Sequence, residues 1–215
     1  MPAGLTPDEL AQVSAIASST RTVRQGTRLY AAGDPFQSIY AIRTGSFKTV
    51  LVHRDGQPQV TNFYFSGYTL GLDAIGDGSY RCDAIALEDS VVCILPFREL
   101  NAVGQGSGEI QRHLMRLMSS EMARRGDMQV VLGMMSAGQR VATFLLNQSK
   151  WMRVRGYSNA EFVLRMSRTE IASHLGIKIE TVSRMLRKFG EAHLIEHHGR
   201  HIRILDLDGL ARVES

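Results

Sequence analysis

Residues 168–189 read RTEIASHLGIKIETVSRMLRKF, and the rest of the chain is read outward from them. Ile171, Ala172 and Leu175 give a first short helix its apolar face. Gly176 follows, a residue that leaves a helix at positive φ without a Cβ penalty. Val182, Met185, Leu186 and Phe189 recur at three- and four-residue spacing and form the inward face of a second helix. Ala172, Gly176 and Val182 stand where two crossing helices need close approach, a stop and a core contact. The outer face is left to Lys178, Glu180, Thr181, Ser183, Arg184, Arg187 and Lys188. Acid, hydroxyl and guanidinium at the N-terminal end of an exposed helix suit base edges in a major groove. The stretch is therefore read as a helix-turn-helix rather than a solvated helical hairpin. Its DNA-binding set is Glu180, Ser183, Arg184, Thr181, Arg187 and Lys188, with Arg168 and Thr169 at its opening.

Charge is distributed accordingly. Residues 137–215 hold 13 Lys and Arg against 8 Asp and Glu, a net of +5, whereas residues 1–136 hold 12 against 13, a net of −1. The basic surplus lies with the helix-turn-helix, as contact with phosphates requires. The chain's 215 residues and 44% hydrophobic content allow one large or two modest domains with real cores. No apolar run is long enough to cross a membrane, and MPAGLTPDEL lacks a basic segment followed by an apolar core. Two cysteines in this length suggest a reducing compartment, so a cytoplasmic protein is expected.

Thr6 followed by Pro7, Asp8 and Glu9 starts a helix expected to run to about Ser18. From Val23 to Pro96 short β-rich runs alternate with glycines. Ser38–Ile42, Phe47–Val52, Val60–Phe65 and Ser90–Leu95 are the clearest strands, and Asp55-Gly56 signals a hairpin. This pattern predicts a small antiparallel barrel or jelly roll. Gly104–Gly108 reads as a linker before a long helix from about Glu109 to Met135. That helix carries two apolar stripes. One is Ile110, Leu114, Leu117, Met128, Val131 and Met135; the other is Met115, Met118, Met122 and Leu132, interrupted by Arg125 and Gln129. One stripe can pack its own domain and the other a partner. Ser136–Arg155 reads as a helix and Phe162–Arg165 as a strand. Leu194–Ile195, Gly199-Arg200 and Ile202–Leu205 form a hairpin, making the unit a winged helix-turn-helix.

Taken together, the order of elements resembles the cyclic-AMP receptor/FNR superfamily of bacterial transcription regulators over nearly the whole chain. Gly33-Asp34, Tyr40-Ala41-Ile42 and Gly45 match its β-roll pattern, and Gly71-Leu72-Asp73-Ala74-Ile75-Gly76 with Glu180-Thr181-Val182-Ser183-Arg184 resembles the FNR branch. The resemblance implies an α+β fold with a β-roll sensor at 1–106, a dimerisation helix at 107–136 and a winged helix-turn-helix at 137–215. It implies a homodimer joined through Met115, Met118, Met122, Arg125 and Leu132, with Glu180, Ser183 and Arg184 reading TTGAT half-sites in an inverted repeat. The Asp55-Gly56 hairpin would then lie in a surface that touches RNA polymerase.

Two ligands follow from the family and are weighed against the residues. Cyclic-AMP binders place Glu after the glycine matching Gly71 and an Arg-Ser pair further on; here these positions hold Leu72 and Tyr80-Arg81. Leucine cannot accept a ribose hydrogen bond, so cyclic AMP is not expected. Oxygen-sensing members hold a [4Fe-4S] cluster with four cysteines; Cys93 matches the last, and Cys82 reads as a small apolar strand residue. Two thiolates cannot complete such a shell. Met1-Pro2-Ala3-Gly4-Leu5 fits the sequel of the third family cysteine. The cluster is thus expected only if cysteines precede Met1 in the natural chain, the alternative being a member that lost it. His193, His197, His198 and His201 crowd the wing and read as solvent- or phosphate-facing rather than metal-binding. No catalytic constellation emerges, and a non-enzymatic regulator is expected. The rival reading is a small-molecule-binding module or enzyme whose basic C-terminal domain is only an interaction surface.

Overall fold

A computed structural model describes residues 6–17, 19–52 and 55–214, and its contacts divide the chain into two units, 1–125 and 126–215. Met1–Leu5, on which the reading of an upstream cysteine rests, lie outside the described residues, as does Ser18.

In the first unit, helix α1 (Pro7–Ile16) starts at a reciprocal cap, with the Glu9 amide donating to Thr6 Oγ1 (3.3 Å) and the Thr6 amide to Glu9 Oε2 (2.9 Å). Eight strands follow: β1 (Thr20–Val23), β2 (Arg28–Tyr30), β3 (Ser38–Thr44), β4 (Ser46–Val52), β5 (Pro58–Phe65), β6 (Thr69–Leu70), β7 (Asp83–Ala86) and β8 (Ser90–Pro96). They form two antiparallel sheets, ordered β1-β8-β3-β6 and β2-β7-β4-β5. The sheets share one core. Val23, Ile42, Leu70 and Val92 come from the first, and Leu29, Phe47, Tyr64 and Ala84 from the second. Four strands stand where the alternation predicts them, and β4 and β5 form the hairpin that Asp55-Gly56 signals, with Val52 opposite Pro58. The other four strands are two to four residues long, too short for a period of two to register.

One expectation fails here. Gly104–Gly108 is not a linker, because helix α2 (Phe97–Gly106) covers its first part and α3 (Gly108–Met134) begins after Ser107 alone. Leu100 and Ile110 pack in one apolar cluster with Ile39 and Leu95, and Gly104 is buried. Such burial outweighs the roughly 1 kcal/mol that a glycine costs a helix. Along α3 the two stripes differ as expected. Ile110 and Val131 are buried and Leu114, Leu117 and Met128 half-buried, while Met115, Met118, Met122 and Leu132 are exposed.

The second unit begins within α3. Helix α4 (Ala137–Val154) is capped reciprocally by Ser136 and Gln139 and buries Val141, Phe144, Leu145 and Leu146. After it come β9 (Glu161–Val163), α5 (Arg168–Leu175), α6 (Ile179–Glu191), β10 (Ile195–His198), β11 (His201–Ile204) and α7 (Leu207–Glu214). The three strands pair in the order β10-β11-β9 and turn Ile195, Ile202, Ile204 and Phe162 inward. Strand β9 is shifted toward Glu161 relative to the expected Phe162–Arg165. Helix α7 was not anticipated. Its signal is visible in retrospect: Asp206 accepts from the Gly209 amide at 2.8 Å, and Leu210 is fully buried. Arg140 of α4 ties three segments together. It donates to the carbonyls of Met135 (2.9 Å), Leu132 (2.8 Å) and Leu175 (2.9 Å), which belong to the end of α3 and the end of α5.

Candidate nucleic-acid interface

The two helices of the turn are locally encoded. Ser167 caps α5 by accepting from the Glu170 amide (3.2 Å), and Glu170 Oε2 accepts from the Ser167 amide (2.6 Å). Gly176 closes α5 in the left-handed region, φ 61°, and the Ile177 amide then donates back to Ala172 O at 3.1 Å. This reversal sets α6 across α5 over Ile171, Ala172, Leu175, Val182, Leu186 and Phe189, all buried.

Packing that face leaves the other to solvent. Glu180, Ser183, Arg184, Arg187 and Lys188 are exposed, Thr181 is half-buried, and Met185, expected inward, is half-buried. Arg184 Nη2 lies 3.4 Å from Thr181 Oγ1, so the hydroxyl steadies the guanidinium one turn away. Arg187 Nε stands 3.7 Å from Glu191 Oε1, both exposed. An acid, two hydroxyls and a guanidinium thus share the first two turns of an exposed helix, with basic side chains behind them.

The wing stands beside this face in the same unit. Gly199 (φ 57°) and Arg200 form its two-residue turn between His198 and His201. Positive φ at the first turn position is what a type II′ hairpin requires and glycine permits. Arg168 and Thr169 open α5, half-buried and exposed respectively. Arg168 reaches the wing, with Nη2 donating to Gly199 O at 2.6 Å. Burial first, and then the neighbouring Arg200, push its pKa down from the usual guanidinium range. Of the four histidines, His193 adopts φ 53° just past α6 and stands where glycine often ends a helix. His201 Nε2 lies 3.0 Å from Glu161 Oε1, an acid that the hairpin alone did not suggest. His198 is exposed. His197 is half-buried, and its pKa is lowered by burial and then by Arg168 and His198.

The interior of the β unit bears on what it can hold. Tyr30 stacks on Tyr80 (centroids 3.9 Å apart, 14° between planes) and on Tyr40 at 5.8 Å, and Phe36 meets Tyr80 edge-on at 5.6 Å. Leu72 is buried with Ile39 and Leu95, and Arg81 faces outward, 3.3 Å from Asp77. Nearby, the Tyr64 hydroxyl donates to buried Glu121 at 2.7 Å. Glu121 also pairs with Arg124 and, at 3.4 Å, with Arg125. The Arg124 guanidinium lies 4.4 Å from the centre of the Tyr68 ring. Cys82 is buried with its thiol 3.7 Å from Asp73, and burial pushes its pKa to about 12. Cys93 is half-buried on β8, opposite Thr20 of β1 and Ala41 of β3.

On the second apolar stripe of α3, Met115 and Met122 are 65% and 73% exposed, which is unusual for methionines spaced along one helix face. Arg125 lies between them and Leu132.

Sequence reasoning missed Arg140 and the Arg168–Gly199 bond. Both join a side chain to backbone carbonyls, including one 35 and one 31 residues away, and no pattern of residue types marks such a partner.

Comparison with known proteins agrees with this architecture at every level. Residues 20–106 match the cyclic nucleotide-binding domain family and residues 139–213 the Crp-like helix-turn-helix domain family. The chain is 39% identical to the transcriptional regulatory protein btr of Bordetella pertussis over 99% of its own length and 88% of that protein's. It is 37% identical to the transcriptional activator protein anr of Pseudomonas aeruginosa, covering 96% and 84%. Identity to the fumarate and nitrate reduction regulatory protein of Escherichia coli is 36%, covering 99% and 85%. The solved structure of FixK2 from Bradyrhizobium japonicum superposes with a TM-score of 0.84 at 27% identity, covering 92% of this chain and 97% of that one. With both domain families and these relatives in agreement, the chain belongs to the Crp/Fnr family of DNA-binding transcription regulators.

Proposed function

We propose that the protein is an FNR-type regulator that binds a TTGAT-type inverted repeat as a homodimer, recruits RNA polymerase and answers a redox-linked signal in the cytoplasm. The observation that carries this reading is the outer face of α6, where Glu180, Ser183 and Arg184 stand together with Thr181 behind them. Arg184 donates bidentately to guanine, Glu180 accepts from a cytosine or adenine amino group, and Ser183 adds a hydroxyl. Thr169, Arg187 and Lys188 meet the phosphates. A two-fold dimer places two such helices about 34 Å apart, one turn of DNA. The names of the relatives, among them a regulator of fumarate and nitrate reduction, support a respiratory signal.

The β-roll interior supports a signal other than cyclic AMP. The ring stack around Tyr80 occupies its centre, buried Leu72 offers no acceptor, and Arg81 points outward to Asp77. Cys82 and Cys93 cannot by themselves make up a four-cysteine shell. Iron, sulfide and absorbance measured on protein expressed from the complete gene and purified without oxygen decide the redox link. The reading against an enzyme rests on the relatives' being regulators. DNA binding is tested by titrating a TTGAT inverted repeat at increasing salt. Affinity is expected to fall by about three orders of magnitude between roughly 50 and 200 mM salt, as for a protein that neutralises several phosphates. Binding insensitive to salt would favour the rival, a small-molecule module with an interaction surface.

The dimer is expected to be weak by construction. In a parallel two-fold pair, each residue of the Met115, Met118, Met122 and Leu132 stripe meets its own copy, and Arg125 meets Arg125. Its bond to Glu121 offsets only part of that repulsion, since the side chain remains 54% exposed. Arg124 holds Glu121 independently, so removing Arg125 does not orphan the buried acid. Arg125→Ala and Arg125→Leu should therefore raise the dimer fraction severalfold in sedimentation. An unchanged or weaker dimer in both variants would refute the arrangement.

A further inference from the structure

The wing turn and the start of α5 lie 31 residues apart in sequence, and a hairpin tip is ordinarily mobile. Here the tip is fastened from one side. The Leu164 amide donates to Arg200 O at 2.9 Å, Arg200 Nη1 donates to Arg165 O at 3.1 Å, and Arg168 Nη2 donates to Gly199 O at 2.6 Å. Both carbonyls of the two-residue turn thus accept from the segment that leads into α5. The two arginines reach in opposite directions, each ending on a carbonyl of the other's segment. Charge-assisted bonds of this kind are shorter and stronger than neutral ones, and the distance to Gly199 O is at the short end of the normal range. A guanidinium turned onto a protein carbonyl and half removed from water is poorly disposed to serve as a bare phosphate contact.

We infer that Arg168 is a positioning residue that locks the wing turn Gly199-Arg200 to the start of α5. The inference rests on the DNA-binding reading above but is read out without DNA as well. The lock makes α5, the wing and, through the Gly176 turn, α6 one rigid reader. Arg200 and His198 at the tip are then held where a phosphate lies when Arg184 reaches its base. Loss of the lock does not change which bases are read. It lowers affinity for every sequence, because the wing must be ordered at the moment of binding.

Backbone order parameters of the full-length, DNA-free protein test this. In the wild type, Gly199 and Arg200 should lie near 0.85, the rigid range; in Arg168→Ala they should fall toward 0.6 while the remainder of the domain is unchanged. Arg168→Lys, which keeps one donor and the fold, should give intermediate values. With a TTGAT inverted repeat and a scrambled duplex as probes, Arg168→Ala should weaken both about tenfold. Arg200→Ala added to it should cost almost nothing further, because the tip is already adrift. Unchanged order parameters in Arg168→Ala, or losses from Arg168→Ala and Arg200→Ala that simply multiply, would overturn the lock and make Arg168 a direct phosphate contact. Failure of the wild type to bind either duplex would instead remove the DNA-binding reading, and the order parameters alone would then decide the lock.

Discussion

Arg184→Ala is expected to cost about 1–3 kcal/mol per half-site, roughly 5- to 150-fold, and to flatten the preference at one base pair while leaving the others intact. Val182, Leu186 and Phe189 are at most 3% exposed, which turns the intervening residues outward and holds α6 rigid. Arg184 stands one turn beyond Thr181, whose hydroxyl limits the guanidinium's rotamers before DNA arrives. A base edge read by a fixed fork discriminates because the wrong base leaves donors unpaired in a desolvated groove. Lys188→Ala provides the contrast. As a phosphate contact it should weaken specific and random DNA alike and lower the salt slope by about one contact. A base-substitution scan in which Arg184→Ala retains full discrimination would remove this assignment.

Arg140→Met should cost about 3 kcal/mol and lower the thermal midpoint by roughly 10–20 °C. One guanidinium satisfies carbonyls of Leu132, Met135 and Leu175, the otherwise orphaned ends of two helices. Methionine fills a similar volume but offers no donor. Arg140→Lys should recover only part of the loss, since one ammonium cannot match three directions fixed by a planar fork. A midpoint within about 2 °C of the wild type in Arg140→Met would show that water replaces the guanidinium at little cost.

Both residues mark how far the fold could be read before it was seen. The helix-turn-helix was legible because Val182, Leu186 and Phe189 repeat at helical spacing and Gly176 interrupts them where the chain must reverse. The two stripes of α3 were legible for the same reason, and burial separates them as the period predicts. Strands β1, β2, β6 and β7 were not, because pairing with longer neighbours supports them rather than any pattern of their own. Helix α2 was hidden by Gly104 and Gly106, whose cost is offset by Leu100 packing on Ile39 and Leu95. At the interface, the outward residues of α6 follow from periodicity alone. The bond from Arg168 to Gly199 O does not, because it depends on where a hairpin folds back 31 residues later.

The starts of the helices differ in one respect that bears on the order in which the reader comes apart. Helices α4 and α5 begin at reciprocal side-chain caps, whereas α6 begins at Lys178 with no side-chain cap at all. Of its opening amides, those of Thr181 and Val182 donate to Lys178 O at 3.0 and 3.2 Å, while no side chain caps those of Ile179 and Glu180. Hydrogen exchange in the free protein should therefore be faster at residues 179–182 than at residues 168–171. The softest turn of the domain would then be the one that carries Glu180 and Thr181. Ordering it on a correct sequence, and not on a wrong one, converts local melting into discrimination. Equal exchange at the two helix starts would show that α6 is already as firm as its neighbour.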